Sequence, residues 1–541
     1  MGPQALASFQ RWLAARRPAA AALRCAPLLG EGCSINDFEP GLELPLPPIP
    51  TLVDVELLRQ SVEMHQLSRI FMHTQLTRLV LVDAGLRRLP PGLSALSRLQ
   101  QLNVSRNRGL TKGFGHLPRL VALTCLDLSK TGLNAVPAAL AGMPQLLELR
   151  LGGNLLRSGW ERLAGLGRLS LLEMPCWHSH EDRNLPDQLP AVLSRLTALR
   201  RLDCAFNSAG RGGWQHLPTG LTSLDIYRTG WLQQLPPVLG RMPNLASLEI
   251  GWWRQLATGP GTLACLPTTL TQLMLADCNL RAVPPDLARL TGLQSLSLGS
   301  NPFSRSNEVM AGGWEHLPGG RLTHLSLSTS KLPRLPAELA RCTALCSLDL
   351  GRCTLQRQEG WQALAALGRL TRLNLQAVGL ACLPSSLSCL SSLADLDASN
   401  NPLGRASGAG GWDHLAALPL TRLDLAACEL EQLPAAVGTL TALRSLDIAA
   451  NNITAGFEAL ASLQQVTSLW LAGCLALPPE LSHLSALKEL DVNLSTALAH
   501  SDSWRHLKHL PSLRFVFAVL CGLQDRPEGL PPGAILFGIG T

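Results

Sequence analysis

The sequence predicts an α/β repeat solenoid in which short parallel strands stack side by side. Two observations predict it. The spacing L-x-x-L-x-L-x-x-(N/C/T)-x-L recurs about nineteen times from Leu76 onward, with most copies about 22 to 25 residues apart. Within each copy the leucines of x-L-x-L-x alternate with other residues, which is the period of a strand with one apolar face. One such strand cannot bury its apolar face alone, so the copies must stack against each other.

The repeat resembles the leucine-rich repeat family, and the resemblance extends over about four-fifths of the chain. Short copies carry L-x-x-(L/V)-P, as in LRRLPPGLSAL at 86–96. This pattern is typical of the class of about 23 residues that intracellular Ras-group and plant-type members contain. The resemblance implies a curved horseshoe with parallel strands on its concave face. It also implies scaffolding or regulatory protein binding, although a fold alone names no partner.

Four segments follow each other along the chain. Residues 1–50 form a basic leader and linker rich in Ala, Arg and Pro. Residues 51–75 are predicted to form a helical cap, because apolar residues recur there at near-helical spacing. Residues 76–523 are the repeat array. Residues 524–541 are predicted to fold back as a C-terminal cap, since an array must close its open apolar ends.

Longer repeats alternate with the short ones and carry a glycine-aromatic step. Three close copies begin at Gly212, Gly312 and Gly410, reading GGWQHLP, GGWEHLP and GGWDHL. Their histidines are four strands apart, about 20 Å, which is too far for one metal ion to bridge. We therefore interpret the motif as structural, with glycine permitting a turn and Trp filling the wider coil.

Composition excludes several functional classes. Apolar residues make up 46% of the chain and charged residues 16%, which favours a folded protein. The net charge of +7 is modest, and no basic run is interleaved with aromatics, so we predict no nucleic-acid binding. No apolar run reaches the roughly 18 residues that a bilayer requires, so we predict no membrane insertion.

The cysteines favour a reducing compartment and a cytoplasmic location. There are 15 of them, scattered without C-x-x-C pairs. Two alternatives stay open. The first thirty or so residues carry Arg11, Arg16, Arg17 and Arg24 before the first acid, as a chloroplast or mitochondrial transit peptide does. The preference for Arg over Lys with abundant Ala, Gly and Pro suggests GC-rich codons, as in a green alga, and hence the ciliary axoneme.

No catalytic string is present. The chain lacks a phosphate-binding loop, H-E-x-x-H and G-x-S-x-G, so we expect neither an enzyme nor a cofactor. One long repeat contains PCWHSHEDRNLPDQ at 175–188, in which Cys176, His178 and His180 are weak candidate metal ligands. The alternative is an ordinary polar insertion.

Candidate partner-binding residues occupy exposed strand positions. The position between the two strand leucines is mostly acidic, and its acids include Asp203, Asp225, Glu249, Asp349, Asp397, Asp424 and Asp447. They predict an acidic stripe that binds a basic segment of another protein, against the alternative of a structural or solubility role. Bulky residues occur at Tyr227, Trp252, Trp253 and Trp470. Because exposed Trp and Tyr are typical binding anchors, the repeats around 225–253 are the predicted hot spot.

These features together predict a non-catalytic scaffold or adaptor that binds another protein on the concave face. One alternative is a structural component of a large assembly, such as a ciliary axoneme or an organellar complex. Another is an immune-type recognition module, which is less favoured because the sequence contains no recognisable signalling module.

Overall fold

The computed structural model describes thirteen stretches of the chain. They are residues 22–24, 54–58, 67–68, 70–175, 188–206, 212–229, 234–254, 256, 261–306, 309–310, 312–355, 359–405 and 410–539. The chain forms two compact units. Unit 1 comprises Met1–Trp253 and Cys265–Thr269, and unit 2 comprises Arg254–Ala264 and Leu270–Thr541. Each unit is described by itself.

Strands of unit 1 pair in parallel, each with the next one along the chain. They are β1 (Ala22–Arg24), β2 (Asp54–Leu58), β3 (Arg78–Val82), β4 (Gln101–Asn103), β5 (Cys125–Asp127), β6 (Glu148–Arg150), β7 (Leu171–Glu173), β8 (Arg201–Asp203), β9 (Ser223–Asp225) and β10 (Ser247–Glu249). From β4 to β10 the buried leucine at the centre of each strand sets the register, as where Leu202 lies opposite Leu224.

Unit 2 repeats the arrangement. Its first strands are β11 (Gln272–Met274) and β12 (Ser295–Ser297), followed by the antiparallel pair β13 (Ser304–Ser306) and β14 (Val309–Met310). The parallel stack continues with β15 (His324–Ser326), β16 (Ser347–Asp349), β17 (Arg372–Asn374), β18 (Asp395–Asp397), β19 (Arg422–Asp424), β20 (Ser445–Asp447), β21 (Ser468–Trp470), β22 (Glu489–Asp491), β23 (Phe515–Phe517) and β24 (Ile535–Phe537).

Short 3₁₀ helices lie on the side of each coil opposite the strand. They span Pro91–Ala95, Phe114–Arg119, Ala138–Gly142, Trp160–Gly165, Ala191–Arg195, Trp214–His216, Pro237–Arg241, Pro285–Arg289, Trp314–His316, Ala337–Arg341, Trp361–Ala366, Ser385–Cys389, Leu403–Arg405, Trp412–Leu415, Ala435–Thr439, Phe457–Ser462, Pro479–His483, Thr496–His500 and Asp502–Leu507. Many begin just after the proline of L-x-x-(L/V)-P, whose ring fixes φ and donates no hydrogen bond. The predicted α/β repeat solenoid is confirmed, and each of the nineteen or so predicted repeats contains a strand.

Buried and half-buried asparagines link several coils to the preceding ones. Asn401 is 1% exposed, and its Oδ1 accepts hydrogen bonds from the N–H groups of Val378, Gly379 and Leu380 at 2.9–3.1 Å. Its Nδ2 donates to the carbonyl of Leu375 at 2.8 Å. One side chain thus satisfies several backbone groups that burial would otherwise leave unpaired. Residues with this contact pattern are Asn107, Asn154, Asn301, Asn401 and Asn451.

The Gly-Gly-Trp motif is structural, as its spacing predicts. Gly313 has a φ of 92°, and a Cβ on it would overlap the backbone of Val283 in the preceding coil. Only glycine tolerates both constraints. Trp314 is 3% exposed and packs edge-on against Phe303 at 5.0 Å between ring centroids. The aromatic step therefore belongs to the core.

Near each end of the chain, the local structure differs from the predicted one. Within the predicted helical cap at 51–75, Asp54–Leu58 is a strand paired with β3, while residues 67, 68 and 70 are helical. The alternation of buried Val55 and Leu57 has the period of a strand, and pairing with β3 satisfies its backbone. At the other end, Ile535–Phe537 does not fold back. It extends the array as β24, in parallel register with β23.

Candidate functional site

The strands display two columns of side chains on the side away from the core. In the three-residue strands from β4 to β12 and from β15 to β22 the central leucine is buried, and its two neighbours point to the opposite face. We call this face the strand face, and we call the position after the buried leucine the second column. The predicted acids all lie in the second column, on half-buried side chains. They belong to two separate groups, one in each unit.

In unit 1 four acids occupy neighbouring strands in direct register. Glu173 lies opposite Asp203, Asp203 opposite Asp225, and Asp225 opposite Glu249. We call these four residues the acidic row. Adjacent strands are about 4.8 Å apart, so the carboxylates repel each other. Glu173 is neutralised by Arg150, whose Nε lies 3.1 Å from Oε1. Among the described residues no ion pair involves the other three acids.

Burial and mutual repulsion oppose ionisation of this row. Burial raises the pKa of Asp203 to about 6, and the neighbouring Asp225 and Glu173 add to the increase. Burial likewise raises the pKa of Asp225 to about 6, with a further contribution from Glu249. The pKa of Glu249 is also raised, first by burial and then by Asp203. Keeping these groups ionised at neutral pH therefore costs folding free energy.

Each aspartate of the column also closes the turn after its strand. Asp203 Oδ1 accepts a hydrogen bond from the N–H of Ala205 at 2.9 Å, and Asp225 Oδ1 accepts one from Tyr227 at 2.8 Å. Asparagine does the same at Asn103 and Asn374, whose Oδ1 atoms accept from the residue two positions later at 2.9 and 2.8 Å. A neutral amide oxygen accepts this hydrogen bond as well as a carboxylate does, so the bond does not require a negative charge.

An aromatic cluster lies beside the acidic row. It consists of Phe206, Tyr227, Arg228 and Trp252. The rings of Phe206 and Tyr227 are 5.3 Å apart between centroids. The Arg228 guanidinium carbon lies 3.9 Å from the centroid of Trp252 and 5.6 Å from that of Phe206. A cation between two aromatic faces is held by both ring quadrupoles.

The cluster forms because three of its members occupy one turn position in successive coils. Phe206, Arg228 and Trp252 each follow a second-column acid by three residues, and all have positive φ, at 57°, 54° and 71°. The N–H of Phe206 donates to the Tyr227 carbonyl, and that of Arg228 to Gly251, at 2.8 and 2.9 Å. Sequence reasoning missed Phe206 and Arg228, although the constant spacing of three residues would have identified them.

Trp253 is not a surface anchor, which corrects the prediction made for it. Its side chain is 0% exposed, and its Nε1 donates to the carbonyl of Ile226 at 3.1 Å. Trp253 follows Glu249 by four residues, the same offset that separates Asn107 from Asn103. It therefore takes the inward position of the buried asparagines and bonds the preceding coil as they do. Tyr227 and Trp252, by contrast, are half-buried.

Unit 2 presents a second group. Asp397, Asp424 and Asp447 lie in direct register on β18, β19 and β20. Burial raises the pKa of Asp424 to about 6, with contributions from both neighbours, and it raises that of Asp447. Asp349 is separated from them by Asn374. Trp470 follows Asp447 in the column and is half-buried.

Cysteines at the inward position contribute to the core. Cys353 and Cys428 are buried, and their thiols lie 3.0 and 3.2 Å from carbonyl oxygens of Leu327 and Ala398. Burial raises the pKa of each thiol to about 12. Both are thus held as thiols, the form that does not attack electrophiles.

The candidate metal ligands Cys176, His178 and His180 lie outside the described residues. Over the part of the chain that is described, no three His, Cys, Asp or Glu side chains come together as a metal site would require. None of the helices in those stretches has the length and apolar character needed to cross a membrane.

Comparisons with known proteins agree with this architecture. A family model described as a leucine-rich repeat region matches residues 51–279. Podocan-like protein 1 of Homo sapiens is 32% identical over 279 residues, which is 50% of this chain and 50% of that protein. The chain contains a leucine-rich repeat region.

One further relative is similar in part of its sequence, and one solved structure is similar in fold. Transforming growth factor beta activator LRRC33 of Danio rerio is 26% identical over 250 residues, covering 41% of this chain and 32% of that protein. The chain thus spans half or less of the length of the curated relatives it matches. A solved structure, that of the TLR13–ssRNA13 complex, superposes with a TM-score of 0.63 at 20% identity, covering 91% of this chain and 76% of the other.

Proposed function

We propose that this protein is a non-catalytic scaffold that binds another protein through the strand face of unit 1. Its leucine-rich repeat region supports a role in protein interaction, because stacked repeats present an extended surface that is independent of the core. The acidic row and the aromatic cluster together form one binding surface for a basic segment of the partner.

The observation that supports this proposal is a pair of negative charges that lower the stability of the fold. Asn103 and Asn374 close the same turn without a charge, so the carboxylates of Asp203 and Asp225 are not needed for the turn. Burial and repulsion raise their pKa values to about 6, so their ionised forms at neutral pH cost folding free energy that an amide would not. A costly group that the fold does not need is typical of a functional surface.

The aromatic cluster supplies the second element of a binding surface. Tyr227 follows Asp225 by two residues, and its backbone N–H donates a hydrogen bond to the Asp225 carboxylate. This bond holds the carboxylate close to the residue that carries the aromatic ring. Half-buried aromatic side chains bury a large area on binding while losing few rotamers. A lysine or arginine of the partner would meet three carboxylates that no described ion pair neutralises, beside the rings of Tyr227 and Trp252.

The test is a comparative affinity purification of the full chain from its own cells. Asp203→Asn/Asp225→Asn keeps both turn acceptors and removes the charge, and Tyr227→Ala removes the ring. Glu161→Gln is the matched control, because Glu161 is exposed on a 3₁₀ helix away from the strand face.

We expect a partner that mass spectrometry finds with the native chain and with the Glu161 variant to be lost from both strand-face variants. Equal recovery of every partner by all variants would overturn the proposal. The same spectra report the N-terminus. A start at Met1 or Gly2 fits the proposed cytoplasmic location, and a start near residue 30 would favour an organelle.

A further inference from the structure

The second column of unit 2 changes character after Asp447. It continues through Trp470, Asp491, Phe517 and Phe537 on successive strands in direct register. We call these five residues, Asp447 included, the mixed row. Its first half alternates acid and indole, and its second half is aromatic. The row therefore combines a charged end and an apolar end across β20 to β24.

Trp470 lies between two carboxylates. Asp447 is opposite it on β20 and Asp491 on β22, and Glu489 begins the same strand as Asp491. Among the described residues none of these three acids forms an ion pair, and the neighbouring Arg422 on β19 instead lies 3.8 Å from Asp395. Glu489 accepts a hydrogen bond from the Ser468 hydroxyl at 3.3 Å. In the described part of the chain, the indole thus lies between carboxylates that no ion pair neutralises.

The other half of the mixed row is apolar and accessible. The rings of Phe517 and Phe537 stack with centroids 5.0 Å apart and planes within 9°. Phe537 is 42% exposed, and Ile535 at the start of the same strand is 52% exposed. Large apolar side chains that remain this exposed in a continuous patch mark a binding surface.

We propose that the mixed row binds an amphipathic helix of a partner protein, with cationic residues over Asp447, Trp470 and Asp491 and apolar residues over the two phenylalanines. The proposal rests on the protein-binding function proposed above, and it uses a different surface in a different unit. The occupant is chosen by charge: an arginine both stacks on an indole and pairs with the carboxylates beside it.

The spacing selects a helix. Strands about 4.8 Å apart place Asp491 about 10 Å from Asp447, and Phe537 about 10 Å further on. A helix rises about 1.5 Å per residue, so residues seven apart are about 10 Å apart and lie on one face. In an extended peptide, residues about 10 Å apart are three positions apart in sequence, and their side chains point to opposite sides. Cations at i, i+4 and i+7 and apolar residues at i+11 and i+14 therefore match the row.

The test uses a defined helical peptide and the full chain. The probe carries Arg at positions 1, 5 and 8 and Leu at positions 12 and 15 on an Ala/Gln background, and fluorescence anisotropy measures its Kd. A peptide of the same composition with the arginines moved to the opposite helix face is the peptide control. We expect the matched peptide to bind at least about tenfold more tightly, and more weakly as salt is raised.

Two variants locate the binding. Asp447→Asn/Asp491→Asn keeps the oxygen acceptors that bond Ala449 and Asn493, and it should weaken binding of the matched peptide roughly tenfold. Trp470→Ala should weaken it comparably. If Trp470→Ala fails to fold in circular dichroism, the asparagine variant alone decides.

Glu161→Gln should leave the peptide Kd unchanged, because Glu161 is exposed on a 3₁₀ helix and belongs to neither row. The asparagine variant of the mixed row leaves the acids of the proposed scaffold site intact, so a loss of peptide binding in that variant is a property of the mixed row alone. Equal affinity for both peptides, or unchanged affinity after Asp447→Asn/Asp491→Asn, would overturn the inference.

Discussion

At the scale of single residues, second-column aspartates provide both a hydrogen-bond acceptor for the turn and a negative charge. Their Oδ1 atoms close turns, and Asn103 shows that a neutral amide closes the same turn. The turn therefore does not explain their negative charge. This charge opposes folding, since the folded-state pKa of Asp203 and of Asp225 lies at about 6, above the ordinary value of 3.8. Because the pKa is raised, the loss of folding free energy should appear as pH rises, and it can be measured.

Asp203→Asn/Asp225→Asn should stabilise the fold at pH 7.5. Each native carboxylate is ionised there at a cost that asparagine avoids, on the order of 1 kcal/mol after allowance for its exposure to water. A group with a raised folded pKa contributes stability that is present below its unfolded pKa and lost as pH rises through about 6. The advantage of the variant should therefore disappear by about pH 4.

Urea unfolding at several pH values measures this effect. Asp413→Asn is the control, because Asp413 is exposed on a 3₁₀ helix and its substitution should change nothing. A gain that persists undiminished at pH 4 would show that relief of charge is not its cause.

A glycine pair offers a second test at the residue scale. Gly313→Ala should destabilise the protein by roughly 2–3 kcal/mol, because φ is 92° and the methyl group would overlap the backbone of Val283. Gly312→Ala is the matched control, since a Cβ there has no neighbour within 4 Å. Thermal unfolding of the two variants should separate them clearly. Equal melting temperatures would contradict the proposed role of the motif.

At the scale of the element, each coil is bonded to its neighbours through its side chains as well as through its strand. Asn401 connects to the preceding coil through both atoms of its amide. Because the protein is a stack, the loss of such a link should open the adjoining coils before it unfolds the remainder.

Asn401→Ala should cost about 3 kcal/mol or more, since it leaves several buried backbone groups unpaired. Hydrogen exchange should rise at the amides of Val378, Gly379 and Leu380. Asn452→Ala is the control, because that side chain is exposed. Exchange that rises evenly over all repeats would show that the link is not local.

The element scale also shows where sequence patterns were sufficient. Strand positions followed from leucine spacing because each repeat must bury the same two apolar positions. The N-terminal cap did not follow, because Val55, Leu57 and Leu58 fit both a helical and a strand pattern. Parallel pairing with β3 decides between the patterns, and that partner is not visible in a local window.

At the scale of the whole molecule, the acidic positions of the candidate site were predictable and their energetics were not. Alternation put Asp203, Asp225 and Glu249 on one face. Burial, which raises their pKa values, depends on neighbours that the turns bring close. Residue size misled the choice of anchors: Trp253 is as bulky as Trp252, yet one further step around the coil turns it inward. A net charge of +7 likewise conceals acidic rows on the strand faces of both units.

The neutral turn residues Asn103 and Asn374 indicate that the charge of the strand face can evolve by single substitutions. Since either asparagine or aspartate closes the turn after a strand, the charge of the strand face can change by one substitution without a new solution for the backbone. Successive strands contribute one such position each, so affinity for a new ligand can be acquired stepwise. For a protein engineer, the second column is an array of editable sites in which each charge also acts on the sites of the neighbouring strands.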